Sequence, residues 1–171
     1  MFQKEEFVVH GLKGVCLIKD ISRLDFVQNK DLYYTLVPIY DHQTLLYVPV
    51  DSEKSKLRKI LDQKEARLWL EELPRKGTVW YADDKERRQA MERAMISGDQ
   101  NQWASIVNGL YHKKLQKAQS GKRFTDRERE LYRNARGVLL GELAAVLNST
   151  PERLEEQILE KMEEKIQVQV S

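Results

Sequence analysis

The sequence predicts an α+β protein in which a small barrel-like sheet precedes an all-helical region. Three observations carry this. Short runs of β-branched and aromatic residues, separated by turn residues, fill the first 50 positions. After Asp51 the apolar spacing becomes helical. Helix-start signals then recur at Asp62, Asp83, Asp99 and Thr125.

The strand candidates are Phe7-Val8-Val9 and residues 15–18, 33–39 and 45–50. Gly11 and Gly14, then Gln28-Asn29-Lys30-Asp31, then Asp41-His42-Gln43 supply the turns between them. Pro38 and Pro49 suit strand ends or a sheet edge, because proline cannot donate to a ladder. This predicts a β-domain over residues 1–55 and a helical domain over 56–171, with the first helix and a hinge-like break in 56–77.

Asp62 with Glu65 reads as a capping box, and Ala66, Trp69, Leu70 and Leu73 then share a face before Pro74. Arg75-Lys76-Gly77-Thr78 breaks the pattern. Asp83 with Glu86 repeats the cap, and Ala90, Met91, Ala94 and Met95 form a stripe ending at Ser97-Gly98. Asp99 can cap a helix whose Trp103, Ile106, Val107, Leu110 and Tyr111 face inward, and Gly121 ends it. Thr125 with Glu128 caps a long helix carrying Leu131, Ala135, Val138, Leu139, Val146 and Leu147. Thr150-Pro151 opens the last helix, with Leu154, Ile158, Met162 and Ile166 on one side.

The 171 residues are 33% charged and 41% hydrophobic, the balance of a folded chain rather than a disordered one. No apolar run approaches the roughly 20 residues that span a bilayer. The opening segment lacks a signal-peptide core, so a cytoplasmic protein is expected. The net charge of +2 conceals an uneven distribution. Residues 1–55 carry −2, residues 56–77 carry +3, residues 78–150 carry +4 and residues 151–171 carry −3. Residues 113–136 hold nine basic side chains against Asp126, Glu128 and Glu130. That middle region is either a polyanion-binding surface or a solvated helix face.

Catalytic signatures are missing from the pattern. Gly11 and Gly14 lie between strands and precede no helix, so no phosphate loop is expected. His10, His42 and His112 have no carboxylate or Cys at ligand spacing, and Cys16 is the single thiol. The carboxylates follow helix caps and i,i+4 pairs. The expectation is a non-enzyme with no cofactor, no metal site and no small-molecule substrate.

Phe7-Val8-Val9-His10-Gly11-Leu12-Lys13-Gly14-Val15 resembles the opening of the CarD family of bacterial transcription regulators, which is shared with a module of the transcription-repair coupling factor. Leu45-Leu46-Tyr47-Val48-Pro49-Val50-Asp51 is similar to the family's apolar-Val-Pro strand end. Ser97-Gly98-Asp99, Ile106-Val107-Asn108-Gly109-Leu110-Tyr111 and Leu139-Leu140-Gly141-Glu142-Leu143-Ala144 extend the likeness through the helical half. The chain departs from the pattern at His10-Gly11, where the family has a Tyr-Pro-like pair, and at Tyr47, where it often has a basic residue.

The resemblance implies a Tudor-like β-module that binds the RNA polymerase β subunit, with Arg23, Tyr47, Val48 and Pro49 on or beside the contact edge. It also implies a helical module touching promoter DNA at the upstream edge of the bubble, largely independently of sequence. Trp80 would meet the bases there, with Arg87, Arg88, Lys113, Lys114, Arg127 and Arg129 on phosphates. A second reading is a polymerase-binding adaptor that recruits another protein through its helices. A third, an RNA-binding barrel, lacks the exposed aromatic-plus-basic platform such proteins use.

Overall fold

The computed structural model describes residues 1–11, 13–51, 55–97 and 100–170. They fall into two compact units, Met1–Ile60 and Leu61–Ser171.

The first unit is an antiparallel sheet of five strands, β1 (Phe7–His10), β2 (Gly14–Ser22), β3 (Tyr33–Pro38), β4 (Leu46–Pro49) and β5 (Leu57–Lys59), in the order β4-β3-β2-β1-β5. Alternation along β3 sends Tyr34, Leu36 and Pro38 inward. With Val8, Cys16, Ile18 and Val48, Tyr34 and Leu36 make the core. A register shift between Ile18 and Asp20 bends β2 and helps curl the sheet. Phe2 packs edge-on against Tyr34 with ring centres 6.1 Å apart, and its N–H donates to the Tyr34 hydroxyl at 3.0 Å. Cys16 is fully buried, and burial pushes its thiol up to about 11, so it stays protonated at neutral pH.

β5 corrects the expectation that everything after Asp51 is helical. Leu57, Arg58 and Lys59 pair with His10, Val9 and Val8 on the free side of β1. A three-residue strand needs only main-chain partners, and it is too short for any alternation to be visible in its side chains.

The helical unit comprises α1 (Gln63–Glu72), a 3₁₀ turn (Leu73–Arg75), α2 (Asp84–Ser97), α3 (Gln100–Gln119), α4 (Asp126–Leu147) and α5 (Pro151–Val170). The capping boxes expected at Asp62/Glu65 and Thr125/Glu128 both form, and the Asp83 carboxylate accepts the Glu86 N–H at 2.9 Å. Gly121, at φ 66°, ends α3 in a left-handed turn, and the Lys122 N–H reaches back to the Lys117 carbonyl at 2.7 Å. Asn148 takes the same left-handed role after α4. One core joins Ala66 and Leu73 to Ala90, Met91 and Ala94 of α2, Trp103, Val107, Leu110 and Tyr111 of α3, Leu131, Leu139 and Leu143 of α4, and Leu154, Ile158 and Met162 of α5. The stop expected at Gly98, the cap at Asp99, Leu12 of the opening motif and the side chains of Met95 and Ile166 lie outside the described residues.

The break expected at residues 75–78 is present, but the chain there is bonded rather than loose. The Asn108 side-chain amide, fully buried, donates to the carbonyls of Leu73 and Lys76. The Lys76 ammonium reaches Asn101 at 3.0 Å, and the Val79 N–H donates to the Ser105 carbonyl at 3.0 Å. Residues 76–79 are therefore strapped along α3.

Candidate functional site

Two places gather the residues singled out from the sequence, one in each unit. In the first, β4 is an edge strand, paired only with β3. The Val50 N–H donates to the Leu32 carbonyl at 2.9 Å, which fixes the phase of the ladder. Alternate pairs in an antiparallel ladder are hydrogen-bonded, so Val48 and Leu46 face β3 while the main-chain groups of Tyr47 and Pro49 turn to the open edge. Tyr47 is also exposed as a side chain, at 42%. Its ring meets that of Phe26 edge-on with centres 5.3 Å apart, and Phe26 is 71% exposed. Arg23 is exposed, Pro49 is half-buried and Val48 belongs to the core. Phe26 escaped the sequence reading. Its signal is an aromatic residue set in a polar connection, between Asp25 and Gln28-Asn29-Lys30-Asp31.

The second place is built around Trp80, half-buried at the end of the strap and packed on the helical core. The Arg87 guanidinium stacks 4.1 Å from the centre of its ring, and the Lys113 ammonium lies 5.5 Å from it. Arg87 was expected on phosphate, but it is buried and committed internally. Its Nε donates to the Tyr81 carbonyl at 2.9 Å, one terminal nitrogen to the Ala82 carbonyl at 3.1 Å and the other to Asp84 at 2.6 Å. Such a guanidinium holds the indole in place, and its planar face suits the ring. Asp84 also lies 3.9 Å from Arg127, whose side chain is 73% exposed. An exposed pair at that distance is worth about 0–1 kcal/mol, so Arg127 can leave it for a stronger anion. Trp80, Arg87, Lys113 and Arg127 thus form one cluster with Asp84 at its hinge point.

The remaining cations lie apart from this cluster in their bonding. Lys114 pairs with the buried Glu155 at 2.8 Å and lies over the Tyr132 ring at 4.5 Å. Arg136 completes that network, reaching Glu155 at 2.9 Å and Glu152 at 2.8 Å. Arg129, 65% exposed, lies 3.5 Å from Asp126. Arg88 is exposed. Part of the basic tract is therefore consumed in tying α3, α4 and α5 together.

Glu128 shows the same use of charge. Its carboxylate pairs with Lys117 and caps α4 through the Thr125 N–H at 2.8 Å. Burial alone would raise its pKa, but the Lys117 and Thr125 hydrogen bonds outweigh it and the net shift is below the ordinary 4.5. A depressed folded-state pKa stabilises the fold above pH 4.5 and ceases to do so as pH falls through the lowered value. Wild-type protein should therefore lose stability on acidification more steeply than Glu128→Gln. Urea midpoints measured from neutral to acid pH test this, and parallel curves would remove Glu128 from the account. Among the described residues no group of three or more His, Cys, Asp and Glu could hold a metal ion. No described helix is long and apolar enough to cross a membrane.

An edge-exposing β unit followed by a helical unit with a cation-braced indole defines a two-part interaction protein. Residues 2–61 match the CarD-like/TRCF RID domain, an RNA polymerase-interacting module, and residues 70–159 match the CarD C-terminal domain. That pairing is the arrangement of a non-enzymatic transcription factor acting through RNA polymerase. The chain belongs to the CarD family. A search of curated protein sequences finds no match to it.

Proposed function

We propose that this protein binds the RNA polymerase β subunit through the open edge of β4 and contacts promoter DNA through the Trp80 cluster, altering the stability of the open complex. The carrying observation is Trp80 itself, a half-buried indole on which Arg87 stacks and near which Lys113 lies. A ring braced in that way can press against an unstacked base step without first being ordered, while mobile cations nearby reach phosphates. Arg127, Arg129, Arg88 and Lys113 fill the phosphate role. Arg87 acts instead beneath the ring, and Lys114 through its tie to Glu155. On the polymerase side, main-chain groups of Tyr47 and Pro49 accept an added strand, with Phe26, Tyr47 and Arg23 flanking it. Val48 supports the edge from within the core.

Phosphate contacts make binding fall with salt, with a slope of about 0.9 per phosphate neutralised on duplex DNA. Replacing Arg127 and Arg129 together should weaken binding to forked promoter DNA and flatten the slope by up to about 2. Fluorescence anisotropy across a salt series reads both quantities. An unchanged slope would leave the basic helix a solvated face and favour the adaptor reading, in which the helices recruit protein rather than DNA.

A further inference from the structure

Asn108-Gly109 is a turn-forming pair, yet it sits in the middle of α3. Glycine there weakens a helix, so its presence asks for a reason of close approach. The reason is visible in the strap. A Cβ at Gly109 would lie 2.1 Å from the Val79 carbonyl oxygen and 3.0 Å from the Val79 carbonyl carbon. Both atoms are backbone, so no side-chain rotation relieves the overlap. Gly137 of α4 is the contrasting case, with nothing within 4 Å of the same added atom.

The strap follows one ridge of α3. Lys76 reaches Asn101, the Val79 N–H reaches the Ser105 carbonyl, the Val79 oxygen lies on Gly109, and Trp80 lies beside Lys113. Those four α3 positions are spaced i, i+4, i+8 and i+12, a single row along a helix. The row brings the chain down onto the helix at Gly109 one residue before the indole, and one turn before the lysine that lies over it.

We infer that Gly109 is a positioning residue for Trp80: the missing side chain lets the Val79 peptide seat on α3, and that seat sets the height and direction of the indole. This rests on the DNA-facing reading of Trp80. Any Cβ at position 109 must lift residues 79–81, moving the ring off Lys113 and pulling Tyr81 and Ala82, the carbonyl partners of Arg87, with it.

The test compares the open-promoter-complex lifetimes given by full-length protein bearing Gly109→Ala, Trp80→Ala, both changes, or Gly137→Ala. Each is measured at saturating protein and below its own melting temperature. Gly109→Ala is expected to shorten the lifetime by about fivefold or more, the low end for one base–aromatic contact. Gly137→Ala should leave it unchanged. Because Gly109 acts through Trp80, the double variant should be no worse than Trp80→Ala alone, whereas general loosening of the fold would multiply the two effects. Should Gly109→Ala not fold, Val79→Pro, which removes the N–H bonded to Ser105, takes its place under the same criteria. A normal lifetime for Gly109→Ala beside a shortened one for Trp80→Ala overturns this inference alone, as do multiplying effects. A normal lifetime for Trp80→Ala overturns the DNA-facing reading and this inference with it.

Discussion

Trp80→Ala is expected to shorten open-complex lifetimes by about 5- to 150-fold, the equivalent of one base–aromatic contact of about 1–3 kcal/mol. Polymerase affinity should be unchanged, because the proposed polymerase edge lies in the other unit. The protein's own stability should fall modestly. A fully buried aromatic typically costs about 3–5 kcal/mol when truncated. Trp80 is only half-buried, and its two cations remain anchored or solvated, so roughly 1–2 kcal/mol is expected. Melting temperature and complex lifetime measured on the same variant separate the roles. A loss of stability at the fully buried level with an unaltered lifetime would make Trp80 a core residue. Tyr81, beside it, would then be the next aromatic to test.

Tyr47→Pro is expected to weaken polymerase binding by a similar factor while leaving the sheet intact. The register turns the Tyr47 N–H away from β3, so proline removes no internal ladder bond there. What it removes is one intermolecular main-chain bond, worth about 0.5–1.5 kcal/mol. Loss of the exposed Tyr47 ring, and of the packing it would give the partner, adds about as much again. Together these amount to roughly 1–3 kcal/mol, or about 5- to 150-fold. Binding of the full-length chain to polymerase, with circular dichroism as the control for folding, reads the effect. Undiminished affinity for both Tyr47→Pro and Tyr47→Glu would rule out strand addition at this edge.

The features legible in the sequence share a short range. Capping boxes join residues three apart, and apolar stripes repeat within a few turns, so Asp62/Glu65, Thr125/Glu128 and the inward face of α3 were all readable from neighbours. Trp80 and Arg127 could be singled out, but not joined, because the link between them runs through Asp84, one residue among many acidic ones. Arg87 illustrates a different blindness. Its partners are close in sequence, yet two of them are main-chain carbonyls, which no residue type announces. Lys114 and Glu155 lie 41 positions apart, and only the packing of α3, α4 and α5 shows that this charge is already neutralised. β5 was hidden for the same reason as any short edge strand, since its partner is β1, nearly fifty residues earlier.

The shape of the β4 edge also bears on the strength of the proposed polymerase contact. The strand is four residues long and ends in Pro49, which carries no N–H. Tyr47 and Pro49 offer at most three outward main-chain groups, and at about 0.5–1.5 kcal/mol each these contribute no more than about 4–5 kcal/mol. Bringing two proteins together costs about 4–15 kcal/mol before any contact is made. The strand can align the partner without retaining it, and retention falls to the aromatic pair beside it. On the proposed mode such a contact is expected to have a short dwell time, so that occupancy of polymerase would follow the concentration of the protein and one molecule would serve several initiation events in turn.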